Sequence, residues 1–236
     1  MKKTALFLLI IICFYLGAGA QTAKDFFKKG NTKSDIGDYY GAIKDFNKAI
    51  ELDPGFADAY FNRGDSKRDL NDFTGAIEDY NKYIELNPND ADAYYNRGNS
   101  KSGLKDYTGA IQDFVKSLEL NPNDPDAYFN RGDCKEELKD HAGAKQDFNK
   151  AIELNPKYVD AYYIRGNIKL NNDDDKGAIQ DFNKAIELNP NHANAYYYRG
   201  IAKYYMDDMK GACLDWSKAG ELGNVEGDDF IKEYCQ

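Results

Sequence analysis

A 34-residue period runs through almost the whole chain. A tyrosine, a glycine, an alanine and a proline each recur in register at this spacing. The tyrosine series is Tyr60, Tyr94, Tyr128, Tyr162 and Tyr196, and Phe26 and Phe230 extend it at either end. A fixed period of this length indicates a repeat protein, in which each unit buries its apolar faces against its neighbours.

Each repeat reads as two helices joined by a turn. Residues 57–70 lack proline, and residues 75–86 place apolar side chains three and four positions apart, as a half-buried helix does. Asn71 and Asp72 form a turn signal between them, and Pro88 ends the second helix.

Capping and close-packing residues support this reading. Thr22 and Asp124 are expected to cap first helices of their repeats. A glycine inside a helix costs about 0.5–1 kcal/mol, so the repeated glycine requires a packing reason. We expect Gly64 to meet Ala76 where two helices approach closely, and aromatic residues such as Tyr80 to fill the space between neighbouring hairpins.

The repeated text, A-Y-[YF]-N-R-G followed by G-A-I-x-D-[FY]-N-K-A-I-E-L-N-P, closely resembles the tetratricopeptide repeat. The resemblance implies an all-α fold, a right-handed α-solenoid of six helix-turn-helix repeats with a short C-terminal capping helix. The predicted repeats are 23–56, 57–90, 91–124, 125–158, 159–192 and 193–226, and the cap is 227–236. Within the cap, Asp228 to Tyr234 is predicted to be helical, and Phe230 is predicted to cover the exposed face of the last full repeat.

Charged residues replace part of the usual family pattern. Arg63 and Lys67 stand where the family has a leucine and a tyrosine, and Asp79 recurs at its place on every second helix. These residues predict either an internal ladder of ion pairs or a solvated charged face.

Residues 1–20 have the three parts of a secretory signal peptide. Lys2 and Lys3 precede an apolar run from Ala5 to Leu16, and small residues stand before Gln21. We therefore expect export to the periplasm, the cell envelope or the medium, with a bacterial-type signal. An uncleaved anchor remains the alternative, although the run is shorter than the roughly 20 residues of a spanning helix.

Export bears on the cysteines, because disulfides form in oxidising compartments. Cys13 leaves with the signal. Cys213 replaces a recurring isoleucine on the side facing the next helix, and Cys235 ends that helix, so these two form the predicted disulfide. Cys134 belongs to a series of small residues, which packing explains.

The composition and the absence of known motifs do not favour catalysis or cofactor binding. The formal net charge is −9 and only two histidines are present, so a nucleic-acid surface is disfavoured. No nucleophile elbow, phosphate loop or zinc-protease motif occurs. Asn171, Asp173 and Asp175 alternate as in a calcium loop, but the glycine is displaced and no glutamate closes the loop. We predict no catalytic residue, no metal and no cofactor.

The family resemblance implies that the first helices line a concave groove. In repeats 2 to 4 acids predominate at the implied groove places, and in repeats 5 and 6 tyrosines and aliphatic residues predominate. The candidate partner-binding residues are Asp58, Phe61, Asn62, Asp65, Tyr95, Asn96, Asn99, Phe129, Asn130, Asp133, Tyr163, Asn167, Tyr197, Tyr198, Ile201 and Tyr205. Phe61, Tyr95 and Phe129 occupy places where some relatives use lysine to clamp a C-terminal carboxylate, which puts that ligand in doubt.

The resemblance and the charge together predict a protein-interaction module rather than an enzyme. The expected partner is a protein or peptide with basic residues beside an apolar or aromatic anchor. A second interpretation is a structural spacer or scaffold of a cell-envelope assembly that binds through convex or end surfaces.

Overall fold

A computed structural model describes residues 21–235. The signal segment 1–20, with Cys13, and the last residue, Gln236, lie outside the described residues. Within residues 21–235 the fold is all-α, without a strand, and inside each of the two compact units described below, helices adjacent in sequence pack together. The predicted α-solenoid fold class is confirmed. The helices are α1 (Ala23–Asp35), α2 (Tyr39–Leu52), α3 (Ala57–Asp69), α4 (Phe73–Leu86), α5 (Ala91–Gly103), α6 (Tyr107–Leu120), α7 (Pro125–Glu137), α8 (His141–Leu154), α9 (Val159–Asn171), α10 (Asp175–Leu188), α11 (Ala193–Tyr205), α12 (Met209–Glu221) and α13 (Val225–Tyr234).

The chain divides into two compact units, one ending at Asp106 and the other beginning at Tyr107. The first unit contains α1 to α5 and the second contains α6 to α13. In both units the odd-numbered helices up to α11 are the first helices of repeats, and the even-numbered ones are the second helices. None of the helices between residues 21 and 235 is long and apolar enough to cross a membrane.

Side chains fix where the helices begin. Thr22 and Asp25 form a reciprocal capping box at α1, and Asp124 accepts hydrogen bonds at the start of α7, both as predicted. At the start of most second helices, an aspartate accepts a hydrogen bond from the backbone N–H of the glycine three residues later, at 2.9–3.0 Å. This N-terminal cap was not predicted from the sequence. The pairs are Asp38 and Gly41, Asp72 and Gly75, Asp140 and Gly143, Asp174 and Gly177, and Asp208 and Gly211.

The repeated glycine of the first helices packs against an aromatic ring of the same hairpin. A Cβ atom on Gly166 would lie 2.7 Å from the Phe182 ring. The same collision would occur between Gly64 and Tyr80 at 2.9 Å. The atoms nearest to such a Cβ on Gly64 belong to the Tyr80 ring, so the aromatic ring lies inside its own hairpin. It also reaches the next hairpin, as predicted, since Phe182 at the equivalent place stacks on Tyr198 at 6.3 Å.

Arginine, lysine and aspartate form a buried triad in most hairpins. Arg165 donates from Nε and Nη2 to the two carboxylate oxygens of Asp181 at 2.8 and 2.6 Å, and Lys169 Nζ lies 2.8 Å from Oδ2. The third guanidinium nitrogen, Nη1, donates to Asn149 of the preceding repeat at 2.7 Å. Asp181 is only 4% exposed. Of the two alternatives predicted for these charges, the internal ladder of ion pairs is therefore confirmed and the solvated charged face is wrong. Equivalent triads are Arg63, Lys67 and Asp79; Arg131, Lys135 and Asp147; and Arg199, Lys203 and Asp215.

The last helix, α13, covers the end of the second unit. It begins at Val225, three residues earlier than predicted, because Asn224 caps it by accepting from the Gly227 N–H at 2.7 Å. The Phe230 ring packs 4.9 Å from that of Trp216, which is fully buried. The structure also joins Cys213 of α12 to Cys235, with an S–S distance of 2.02 Å. Cys134 is buried in the same unit.

Candidate functional site

Three candidate residues of the first unit lie where consecutive first helices meet. Asn62 of α3 donates to Asn31 of α1 at 2.8 Å. One repeat later, Asn96 of α5 donates to Asp65 of α3 at 3.3 Å and accepts from Arg68 at 3.0 Å. The structure thus brings Asn62, Asp65 and Asn96 onto a shared face, but it uses them to hold neighbouring helices together.

Asp65 is already partnered inside the protein. Its Oδ1 accepts a hydrogen bond from the Tyr80 hydroxyl at 2.6 Å and lies 3.2 Å from Arg68. Burial raises the pKa of the Asp65 carboxyl, while the Tyr80 hydrogen bond and the Arg68 charge oppose part of that rise. A basic ligand would therefore compete with Arg68 for this acid, so Asp65 is a poor source of free negative charge.

The other candidates in the first unit contribute packing or remain at the surface. Phe61 is half-buried against Tyr83, with ring centres 4.9 Å apart, and lies 5.8 Å from Tyr80. Asp58 is exposed in the first turn of α3, and Tyr95 and Asn99 are half-buried on α5.

In the second unit, α7 carries an acidic patch, which we define as Asp133, Glu136 and Glu137. Burial first, and then the charges of Glu137 and Glu136, raise the pKa of Asp133. Among the described residues no lysine or arginine pairs with Asp133. Glu136 lies 2.8 Å from His141 Nδ1 and Glu137 is hydrogen-bonded to Tyr107. Like charges one turn apart destabilise a helix slightly, so Asp133 is the member of the patch that gains nothing within the protein.

Two further candidates lie on the same helix. Phe129 stacks on Tyr158 with ring centres 4.7 Å apart and an interplanar angle of 21°, and Asn130 is half-buried beside it. Phe129 is thus held in place by the protein's own rings.

The tyrosine face, which we define as Tyr163, Tyr197, Tyr198, Ile201 and Tyr205, lies on α9 and α11. The rings of Tyr163 and Tyr198 are 6.0 Å apart, and those of Tyr197 and Tyr198 are 5.1 Å apart. Tyr205 is 62% exposed. The structure therefore assembles this group, and it leaves Tyr205 available to a partner.

Two members of the sequence-predicted set have additional roles. Tyr197 also packs edge-on against Phe230 of α13 at 5.5 Å, so its removal would loosen the last helix. Asn167 on α9 has a buried Oδ1 atom without a hydrogen-bond partner, which is unusual for a buried polar atom.

A cavity of about 550 Å³ adjoins the tyrosine face. Tyr198, Ile201 and Tyr205 line one side, and the end of α9 and the following turn line the other with Leu170, Asn171, Asp173 and Asp175. From the sequence, Asp173 and Asp175 resembled only the alternating acids of a calcium loop. Within the described residues, no group of three or more histidine, cysteine or acidic side chains is arranged to hold a metal ion.

Comparison with known proteins agrees with the helix pairs and their packing. Sequence models of the tetratricopeptide repeat match residues 30–67, 64–102, 91–124, 125–158 and 159–192, which together cover more than half of the chain. The chain belongs to the tetratricopeptide repeat family. No curated protein matches it.

Solved structures of tetratricopeptide repeat proteins have similar folds. A crystal structure of MamA is 27% identical, with a TM-score of 0.67 over 70% of this chain and 96% of MamA. YrrB, described as a tetratricopeptide repeat protein with an unusual peptide-binding site, is 26% identical, with a TM-score of 0.69 over 80% of this chain and 97% of its own. PilF of Pseudomonas aeruginosa is 20% identical, with a TM-score of 0.75 over 89% and 97% of the two chains, and it shows the fold alone.

Family membership defines the broad function. Tetratricopeptide repeat proteins are in general non-catalytic modules that bind other proteins or peptides, and the fold of this chain supports such a role.

Proposed function

We propose that this protein is an exported, non-catalytic interaction module that binds a peptide or protein segment on the tyrosine face of its second unit. The observation that carries the proposal is the exposed Tyr205 ring beside a cavity lined by Tyr198 and Ile201. Tyrosines provide large, rigid contact surface at low entropic cost, which suits anchor positions in an interface. YrrB, with its unusual peptide-binding site, is a precedent among similar folds.

The charges of the second unit favour a basic partner. Asp133 of the acidic patch on α7 pairs with no lysine or arginine of the described chain, and the chain as a whole is acidic. A partner with basic residues beside an apolar anchor would neutralise the patch while its anchor packs on the tyrosine face. Charge at the rim of an interface mainly raises the association rate and makes it sensitive to salt.

The test compares two surface tyrosine regions. Partners captured from envelope fractions with the wild-type protein are identified, and their affinity is then measured for Tyr205→Ala with Ile201→Ser and for Tyr40→Ala. Tyr40 is a matched control, because it is 72% exposed on a second helix of the first unit. We expect at least about a tenfold loss for the double variant, mainly through faster dissociation, since anchor residues contribute about 2 kcal/mol or more.

Asp133→Asn tests the contribution of charge. We expect it to make the affinity for the partner less dependent on salt, with little change in affinity at high salt. If the variant with Tyr205→Ala and Ile201→Ser binds like the wild type, the tyrosine face is not the site. The spacer interpretation, with contacts through other exposed apolar residues such as Leu214 and Val225, would then replace this proposal.

Export rests on the amino-terminal pattern of residues 1–20. We expect the intact mass of the protein isolated from its own host to correspond to a chain that begins at Gln21. A functional protein that retains residues 1–20 would contradict cleavage and support an anchored form.

A further inference from the structure

The cavity beside the tyrosine face exists because two facing positions of neighbouring repeats, one large and one small elsewhere in the chain, here hold a small and a large residue. In the first unit, the Phe73 ring at the start of α4 fills the space against α5, where a Cβ atom on Gly103 would lie 2.8 Å from it. Three repeats further along the chain, in the second unit, Asp175 and Tyr205 occupy these two places. The short aspartate leaves the space open, and the tyrosine at the end of α11 forms its far wall.

The walls of this cavity are amphipathic. Leu170 is 8% exposed and, with Ile201, forms an aliphatic surface, while the rings of Tyr198 and Tyr205 add aromatic surface. Asp173 and Asp175 line the same cavity and supply carboxylates. A side chain with a long aliphatic stem and a cationic end is complementary to such walls. Its stem would pack on the apolar surface, and its charge would contact the carboxylates and the ring faces.

The carboxylates of this cavity lack a cation of their own. Asp175 Oδ1 is buried without a hydrogen-bond partner. Burial, followed by the charges of Asp173 and Asp174, raises the pKa of Asp175. No ion pair joins Asp173 or Asp175 to a lysine or arginine of the described chain. A buried acceptor that stays unsatisfied costs free energy, and a cation in the cavity would offset part of this cost through its charge.

We propose that this cavity binds a lysine or arginine side chain of the partner. The inference rests on the proposed function, since it assigns the basic residue of the partner segment to one place beside the tyrosine face. Asp173 and Asp175 would hold the cationic end, and Leu170, Ile201 and the two tyrosine rings would contact its stem.

The experiment uses small probes, so it does not depend on the natural partner. Capped tripeptides carrying arginine, lysine or methionine between two glycines are titrated into the ¹⁵N-labelled protein, residues 21–236, and amide shifts are followed by NMR. We expect the arginine and lysine peptides to shift the signals of residues 170–175 and 198–205 with dissociation constants of about 1–10 mM. The methionine peptide, which has a stem but no charge, should bind at least about fivefold more weakly. The ratio between the arginine and lysine peptides identifies the preferred cation.

Three variants locate the binding. Asp175→Asn keeps the cavity and removes one charge, so it should weaken the cationic peptides about fivefold or more. Asp175→Phe introduces the kind of ring that Tyr39, Phe73 and Tyr107 place at this position. It fills the cavity and should abolish the shifts without unfolding the unit. Asp207→Asn is the control, because Asp207 occupies the turn place equivalent to Asp173, with a φ of 62°, but lies outside the cavity. It should leave binding unchanged.

The outcomes separate this inference from the proposed function. Equal binding of the methionine and lysine peptides, or unchanged binding to Asp175→Asn, would overturn the cation site. If the tyrosine variants still lose the natural partner in that case, the proposed function stands without it. If the cationic peptides bind as expected but neither Asp175→Phe nor the double variant of Tyr205 and Ile201 changes the affinity for the natural partner, the cation site is correct and the proposed function is wrong.

Discussion

Replacing Asp181 with alanine is expected to destabilise the second unit by about 3–5 kcal/mol. The substitution leaves the guanidinium of Arg165 and the ammonium of Lys169 without their shared carboxylate, and both side chains are largely buried, at 15% and 14% exposure. Burying a charge without a partner is far more costly than burying a matched pair. Urea unfolding, together with hydrogen exchange of α9 and α10 amides, measures the loss.

The same hairpin contains its own control. Glu187 lies on the same helix as Asp181 and pairs with Lys184, but it is 67% exposed. Glu187→Ala should therefore change stability by less than about 1 kcal/mol. Equal effects of the two alanine variants would show that the triad is solvated and contributes no more than a surface pair.

A third variant tests the cause of the loss. Changing Arg165→Leu and Lys169→Tyr together with Asp181→Ala removes every charge of the triad and restores the residues usual in the family on the first helix. We expect this triple variant to be substantially more stable than Asp181→Ala alone, because no charge remains buried without a partner. A triple variant as unstable as the single one would instead assign the loss to packing.

The repeat pattern predicted most of the fold because its signals are local. The 34-residue spacing, the cap at Thr22 and the proline after Asp124 each act within a few residues, so helix order and approximate bounds followed from sequence. The approach of the Tyr80 ring to Gly64 could not be read in this way, since it depends on which way the ring turns within the hairpin.

The candidate site was harder to predict, because position on a helix does not reveal what a side chain already contacts. Asp65 and Asp133 occupy equivalent places in their repeats, yet Asp65 is held by Tyr80 and Arg68, whereas Asp133 pairs with no lysine or arginine of the described chain. Tyr197 and Tyr205 looked alike in sequence, but Tyr197 also packs on α13. The repeat register shows that Asp175 and Tyr205 stand at the places of Phe73 and Gly103. Only the structure shows that the residues at these two places pack against each other, so that a short residue at the first place leaves a cavity.

Removing residues 225–236 should destabilise the last repeat more than any single surface substitution. The deletion uncovers Trp216, which is fully buried beneath Phe230 and Tyr234, and it removes the link between Cys213 and Cys235. Closing a loop of 22 residues is worth about 3 kcal/mol in the chain-entropy description. Re-exposing a large aromatic surface costs a further ~2 kcal/mol.

Cys235→Ser separates these two contributions, because it keeps α13 and removes only the link. Non-reducing peptide mapping of the wild-type protein establishes the bond first, and two free thiols would leave the packing of α13 as the only contribution. Stability in repeat arrays is close to a sum of local and nearest-neighbour terms, so α11 and α12 should lose hydrogen-exchange protection before α7 and α8 do. Uniform loss of protection across the second unit would contradict this local picture and indicate that the unit unfolds as one cooperative body.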